Sequence, residues 1–169
     1  TRLGNEAGAP SVPNVLTNVD DYEQLTAAAE KAALGNELVV QTPYGDSGKT
    51  TFFISSEADW RKHAQHIVGE DIKVMRRINN RPVAVEAVLT RCGTVVGPFM
   101  TELTGYPELT PYRGGWCGNE MYPDVLSPER RAKATELVRR LGDRLSQAGY
   151  RGFFEVDVLA DVDTDEVSL

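Results

Sequence analysis

Three short segments carry the residues best suited to chemistry. Residues 45–50 read Gly-Asp-Ser-Gly-Lys-Thr. Gly45 and Gly48 allow close backbone approach, Ser47 adds a hydroxyl and Lys49 a positive charge, which together can hold a phosphate. Residues 155–157 read Glu-Val-Asp inside an otherwise apolar run. Alternate residues of an extended strand share a face, so Glu155 and Asp157 project together while Phe154, Val156 and Val158 project to the other side. Two carboxylates on one face of an apolar strand cost free energy unless something cationic meets them. A magnesium ion carried on phosphate oxygens would do so, and paired Arg or Lys side chains on a solvated face would do so too. The third segment, residues 112–120, places Arg113 before two glycines and Trp116. A guanidinium there suits a carboxylate or a phosphate. A buried structural corner anchored by Trp116 accounts for the same residues.

Other chemistries have little to draw on. The glycine loop is not a Walker loop. That pattern needs a glycine where this chain has Pro43. It must also feed a helix, whereas residues 50–54 (TTFFI) are β-branched and aromatic. The loop therefore joins two strands, and an ordinary polar hairpin turn is the competing reading. The two histidines, His63 and His66, share one helical segment as exposed positions and offer no zinc site or catalytic triad. Cys92 and Cys117 form no metal-type pair. The acidic run at 161–165 lacks the spacing of a calcium loop and reads as a solvated turn. A net charge of −7 argues against nucleic acid as a partner. No apolar run approaches the ~20 residues of a membrane span, and a cytoplasmic protein is expected.

The elements that must position these residues follow from pattern. Residues 1–19 read as loop. A helix starts near Asp20, with Glu23 as a capping partner, and stops at Gly35. Strands follow at 37–41 and 50–54, then a helix capped by Ser55 or Ser56 with Trp60, Ala64 and Ile67 on one face. Strands are expected at 72–78, 83–90 and 94–97, with a tight turn at Cys92 and Gly93. Residues 98–127 read as irregular. Ser127 and Pro128 open the longest helix, whose apolar face is Ala134, Leu137, Val138, Leu141, Leu145 and Ala148. A strand at 152–160 and the start of another close the chain. The order is α+β rather than a strict βαβα alternation.

The runs VVQTPYGDSGKTTFFI, VMRRINNRPVAVEAVLT, GPFMTEL, LTPYRGGWCGNE and GYRGFFEVDVLAD, in this order, resemble the biotin-carboxylase-like branch of the ATP-grasp superfamily over essentially the whole chain. The resemblance implies an α+β ATP-grasp fold. Residues 1–13 would connect, 14–70 would form a small lid lobe, and 71–169 would form part of a larger C-terminal lobe with antiparallel sheet. It implies ATP with magnesium or manganese between the lobes, and a carboxylate or bicarbonate activated as an acyl phosphate. Gln41 stands where many relatives carry a phosphate-contacting lysine, which a neutral amide cannot match in charge. Lys49 stands where biotin carboxylases often carry an arginine. Gly45, Ser47 and Gly48 complete the lid. Met75, Arg76, Arg77 and Ile78 match the hinge strand that reads the adenine, and Glu86 an acidic position after it. Asp157, with Glu155 beside it, matches the first metal carboxylate, and Arg113 lies where the acceptor substrate is expected. The expected partners are small molecules, and a homodimer is compatible with the resemblance.

Both ends read as cut from a longer polypeptide. Thr1 opens without an initiator Met, and Leu169 stops inside a strand. The resemblance implies a Gly-Glu-Leu-Asn-Pro-like continuation that completes the magnesium site, so the chain alone is expected to be catalytically silent and at best to bind nucleotide weakly. Gln41 keeps a non-catalytic nucleotide-binding module open as the second reading.

Overall fold

The computed structural model describes residues 2–121, 124–164 and 166–169, and these divide into two compact units. One consists of Pro13–Ile78 with Thr104–Cys117, here the N-terminal unit. The other consists of residues 2–12, Asn79–Leu103 and Gly118–Leu169, here the C-terminal unit.

The N-terminal unit is a four-stranded antiparallel sheet with two helices on one face. Its strands are β1 (Asn14–Thr17), β2 (Leu38–Gln41), β3 (Thr51–Ile54) and β4 (Ile72–Arg76), ordered β1-β4-β2-β3. Helices α2 (Tyr22–Lys31) and α3 (Glu57–Ile67) cover the face bearing Leu38, Val40, Phe52, Ile54, Ile72 and Val74. Leu25, Trp60 and Ile67 fill the gap between helices and sheet. Each such side chain contributes about 1.5–3 kcal/mol on burial. Both helices start where a side chain replaces a missing backbone acceptor. Asp21 accepts from the Gln24 amide, and Ser56 accepts from the Asp59 amide. The expected strand before residue 78 is therefore β4, held by pairing to β1 and β2 inside this unit.

The C-terminal unit carries a five-stranded antiparallel sheet ordered β7-β6-β5-β8-β9. Its strands are β5 (Asn80–Thr90), β6 (Gly93–Thr104), β7 (Trp116–Glu120), β8 (Gly152–Asp161) and β9 (Val167–Ser168), of which Thr104, Trp116 and Cys117 at the ends of β6 and β7 count with the N-terminal unit. Helix α4 (Pro128–Gln147) presses Ala134, Leu137 and Val138 onto Val83, Val85, Ala87, Val156 and Val158. Gly142 is also buried on this helix, where a Cβ would collide with the Thr94 hydroxyl. Ala148, expected on the apolar face, is exposed as the helix ends.

Several expectations are corrected. Residues 1–19 are not all loop: α1 (Arg2–Glu6) and β1 form there, and Glu6 grips Arg144 of α4 at 2.6 Å. Ala9 joins the C-terminal core, and Val12 is buried as well. Breakers at Gly4 and Pro13 masked elements this short. Residues 98–104 and 116–120 belong to β6 and β7, because pairing extends through sequence that lacks a clear alternation. Trp116 anchors no buried corner; it is 48% exposed on β7. In the acidic turn, Asp161 accepts from the amides of Asp163 and Thr164, while Asp165 lies outside the described residues.

Candidate functional site

Strand alternation gives the N-terminal sheet a second face that no helix of its unit covers. Antiparallel partners share a face, and the registers Gln41↔Lys73, Gln41↔Thr51, Val39↔Met75 and Val39↔Phe53 gather these six side chains on it. The Gln41 amide donates to the Thr51 hydroxyl at 3.3 Å. Lys73, on central strand β4, sits directly across from Gln41. Desolvation lowers its ammonium pKa, and among the described residues no carboxylate forms an ion pair with it. Sequence reading passed over Lys73, although a lysine two residues before Met75 in an apolar strand is a legible signal.

The glycine loop joins β2 to β3, as its sequence requires. Ser47 and Gly48 take φ of 52° and 70°, and the Lys49 amide donates to the Asp46 carbonyl at 3.1 Å. Two consecutive positive φ values closed by that bond are the signature of a type I′ hairpin turn. The tip is docked within its own unit. The Trp116 amide donates to the Ser47 carbonyl at 2.9 Å, and a Cβ on Gly48 would overlap the Gly114 carbonyl. Gly45 is exposed and packs by its Cα beside Thr50. Lys49 lies 3.4 Å from Asp46 in an exposed pair, an arrangement worth little in stability.

Arg113 stands over the Phe53 ring with its guanidinium carbon 4.4 Å from the centroid, and Arg77 approaches the same ring at 5.9 Å. Arg77 also pairs with Glu37 at 3.2 Å. Arg76 turns to the opposite side, where it donates to the Ala33 carbonyl at 2.6 Å. The Arg76 and Arg77 amides donate to the carbonyls of Pro13 and Glu37. Met75 is buried on the uncovered face, and Ile78 follows the strand half-buried. Of the two histidines, His66 is exposed, whereas His63 is half-buried with its ring 5.0 Å from Phe52. Cys117 packs, its thiol directed at the Gly115 carbonyl.

In the C-terminal unit the sheet face away from α4 is acidic. Glu86 faces Glu155, and Ala84 faces both Asp157 and Met100. Alternation along β6 then brings Glu102 to the same side. Desolvation raises the Glu102 carboxyl to about 7, with the Asp157 and Glu155 charges adding to it, and desolvation raises Asp157 as well. Asp157 keeps one side open to solvent; the shift reflects the protein packed around the rest of it. Glu102 escaped the sequence reading because it sits in a stretch read as irregular. Among the described residues none of these acids has an ion-pair partner, and no three Cys, His, Asp or Glu side chains are grouped to hold a metal by themselves. Unpaired, desolvated oxygen donors fit a hard cation that brings its remaining ligands as phosphate and water.

The whole chain superposes on solved structures of one architecture. It matches an ADP complex of N5-carboxyaminoimidazole ribonucleotide synthetase with a TM-score of 0.74 and 22% identity, over 99% of this chain and 41% of that one. It matches the biotin carboxylase of Campylobacter jejuni, a β,γ-ATP complex, with a TM-score of 0.76 and 16% identity, over 99% and 37%. The chain has an ATP-grasp fold. In sequence, the chain is 27% identical over 150 residues to the butirosin acyl-carrier-protein–L-glutamate ligase of Niallia circulans, across 83% of this chain and 32% of the ligase. No family model matches. The chain thus spans less than half the length of each of these proteins. No helix among the described residues is long and apolar enough to cross a membrane.

Proposed function

We propose that this chain is the nucleotide-binding part of an ATP-dependent ligase or carboxylase that activates a carboxylate or bicarbonate as an acyl phosphate. The observation that carries the reading is the occurrence, on an ATP-grasp fold, of two chemically opposite sheet faces, one with a lysine and one with acids that have no ion-pair partner among the described residues. The N-terminal unit would take the nucleotide. Met75 and Val39 offer apolar surface to the base, and the Ile78 backbone beyond β4 offers its edge hydrogen bonds. Gln41, Thr51, Ser47 and Lys49 offer donors to the phosphates. Arg113 would orient an acidic acceptor, held in place by its stack on Phe53.

Asp157, with Glu155 and Glu102 nearby, would hold magnesium in the C-terminal unit. Bound there, magnesium would neutralise phosphate oxygens and polarise the transferred group. The chain's own contribution is charge and position: fixed donors cost no reorganisation when charge moves. A non-catalytic nucleotide-binding module is the second reading, favoured by the neutral Gln41.

The test is ADP formation from magnesium-ATP with bicarbonate, L-glutamate and a panel of small carboxylates, by the whole protein of which this chain is proposed to be the nucleotide-binding part. Carboxylate-dependent ADP release supports the ligase reading. Saturable ATP binding with no ADP from any acceptor supports the binding module.

A further inference from the structure

Gln41 leaves the N-terminal sheet without the lysine expected on β2, and the opposite strand carries one instead. Lys73 is its cross-strand partner, on the same face and on the central strand of the sheet. Directly opposed residues of an antiparallel pair have Cβ atoms only about 5 Å apart. A lysine stem reaches farther than that, so an ammonium anchored at 73 covers the space that an ammonium anchored at 41 would cover. The other cations nearby are engaged. Lys49 faces Asp46, Arg77 faces Glu37, Arg76 serves the Ala33 carbonyl, and Arg113 lies on Phe53.

We propose that Lys73 is the phosphate-binding lysine of this chain, transposed across the β2–β4 ladder from the position held by Gln41. The ligand is the polyphosphate of a nucleotide, so the inference rests on the nucleotide reading above. The Gln41–Thr51 hydrogen bond has a place in the same arrangement. It turns the Gln41 amide toward β3 and leaves the β4 side of the row to the ammonium. Burial that disfavours a charged lysine is a cost that no carboxylate among the described residues offsets, and an anion arriving at this face would relieve it.

The test compares ATP and adenosine binding by calorimetry for the parent chain, Lys73→Met, Gln41→Lys and the double variant Lys73→Met/Gln41→Lys. Lys73→Met should weaken ATP about tenfold or more, the size expected for a lost charge-assisted contact, and leave adenosine unchanged. The double variant should recover most of that loss, because the ammonium returns to the same space from the facing strand. Unchanged adenosine affinity also reports that the variant is folded. If the parent prefers ATP to adenosine and Lys73→Met keeps that preference, the transposition is wrong while the nucleotide reading stands. A loss in Lys73→Met that Gln41→Lys fails to rescue also overturns it. A parent that binds neither ligand overturns the nucleotide reading itself.

Discussion

The two sheets of this chain follow one plan and end with opposite chemistry. Each is antiparallel, each buries one face under helix, and each has, through strict alternation, a second face that no described helix covers but where Met75 on one sheet and Ala84 on the other are still buried. On the N-terminal sheet that second face carries Lys73, Gln41, Thr51 and Phe53; on the C-terminal sheet it carries Glu86, Glu155 and Asp157, joined by Glu102. The pKa shifts run in opposite senses for one cause. Desolvation disfavours charge, so Lys73 falls while Glu102 and Asp157 rise. The helix-covered faces explain why the units fold. The uncovered faces tolerate a cost that a phosphate on one and a cation on the other would remove.

The comparison breaks most sharply at Asp157. Asp157→Asn should abolish the gain in ATP affinity that magnesium confers, a loss of at least ~10–100-fold in metal-supported binding, while adenosine binding stays at the parent level. Calorimetry with and without magnesium reads this directly. Equal magnesium enhancement in the variant would remove the acidic face from the account.

Next in size is the hairpin tip. Gly48→Val should cost about 1–3 kcal/mol in urea denaturation, because a positive φ and the Gly114 carbonyl both oppose a side chain. Gly35→Ala is the control. Gly35 has φ of 78°, but a Cβ there would meet open space, so only the backbone strain remains and the loss should be smaller. Equal costs would show that docking on residues 104–117 contributes nothing.

Lys49→Ala should weaken ATP only about two- to fivefold, since an exposed lysine already facing Asp46 has little to add. A larger loss than Lys73→Met would return the main phosphate charge to the loop.

The smallest effect is a pH-dependent one at Glu102. Its carboxyl titrates near 7 in the folded chain and near 4.5 when exposed. Both states are protonated below that window, so it carries no penalty there. Stability falls as pH rises through it, and the full cost is present above it. Glu102→Gln should therefore raise Tm by about 1–3 °C near pH 8 and leave it unchanged near pH 4. A difference that is the same at both pH values would contradict the burial argument.

Much of this architecture was legible in the sequence where local pattern and tertiary role agree. The strand after Lys49 ruled out a Walker loop, Ser56 and Ser127 marked helix starts, and the Glu155–Asp157 alternation put two acids on one face. What escaped was set by pairing rather than by propensity. Strand β1 is four residues long and exists because β4 pairs with it. Strand β7 follows two glycines. Glu102 becomes a candidate only when its neighbours across the ladder are known, since its stretch reads as irregular, whereas Lys73 in its apolar strand was legible and gains its meaning from Gln41 across the ladder. The buried corner offered as one reading of Trp116 failed for the same reason: an aromatic beside glycines suggests a corner, but the residue is half exposed and its backbone amide donates to the Ser47 carbonyl.

The central claim is that nucleotide phosphates lie against the uncovered face of the N-terminal sheet. Methyl NMR of the chain during a magnesium-ATP titration tests it within single strands. Val39 and Val40 are neighbours on β2, and Val74 and Met75 are neighbours on β4, with opposite faces in each pair. Saturable shifts at Val39 and Met75 that clearly exceed those at Val40 and Val74 are the expected result. Shifts of equal size on both faces, or none at Val39 and Met75 at saturating ATP, would contradict the account.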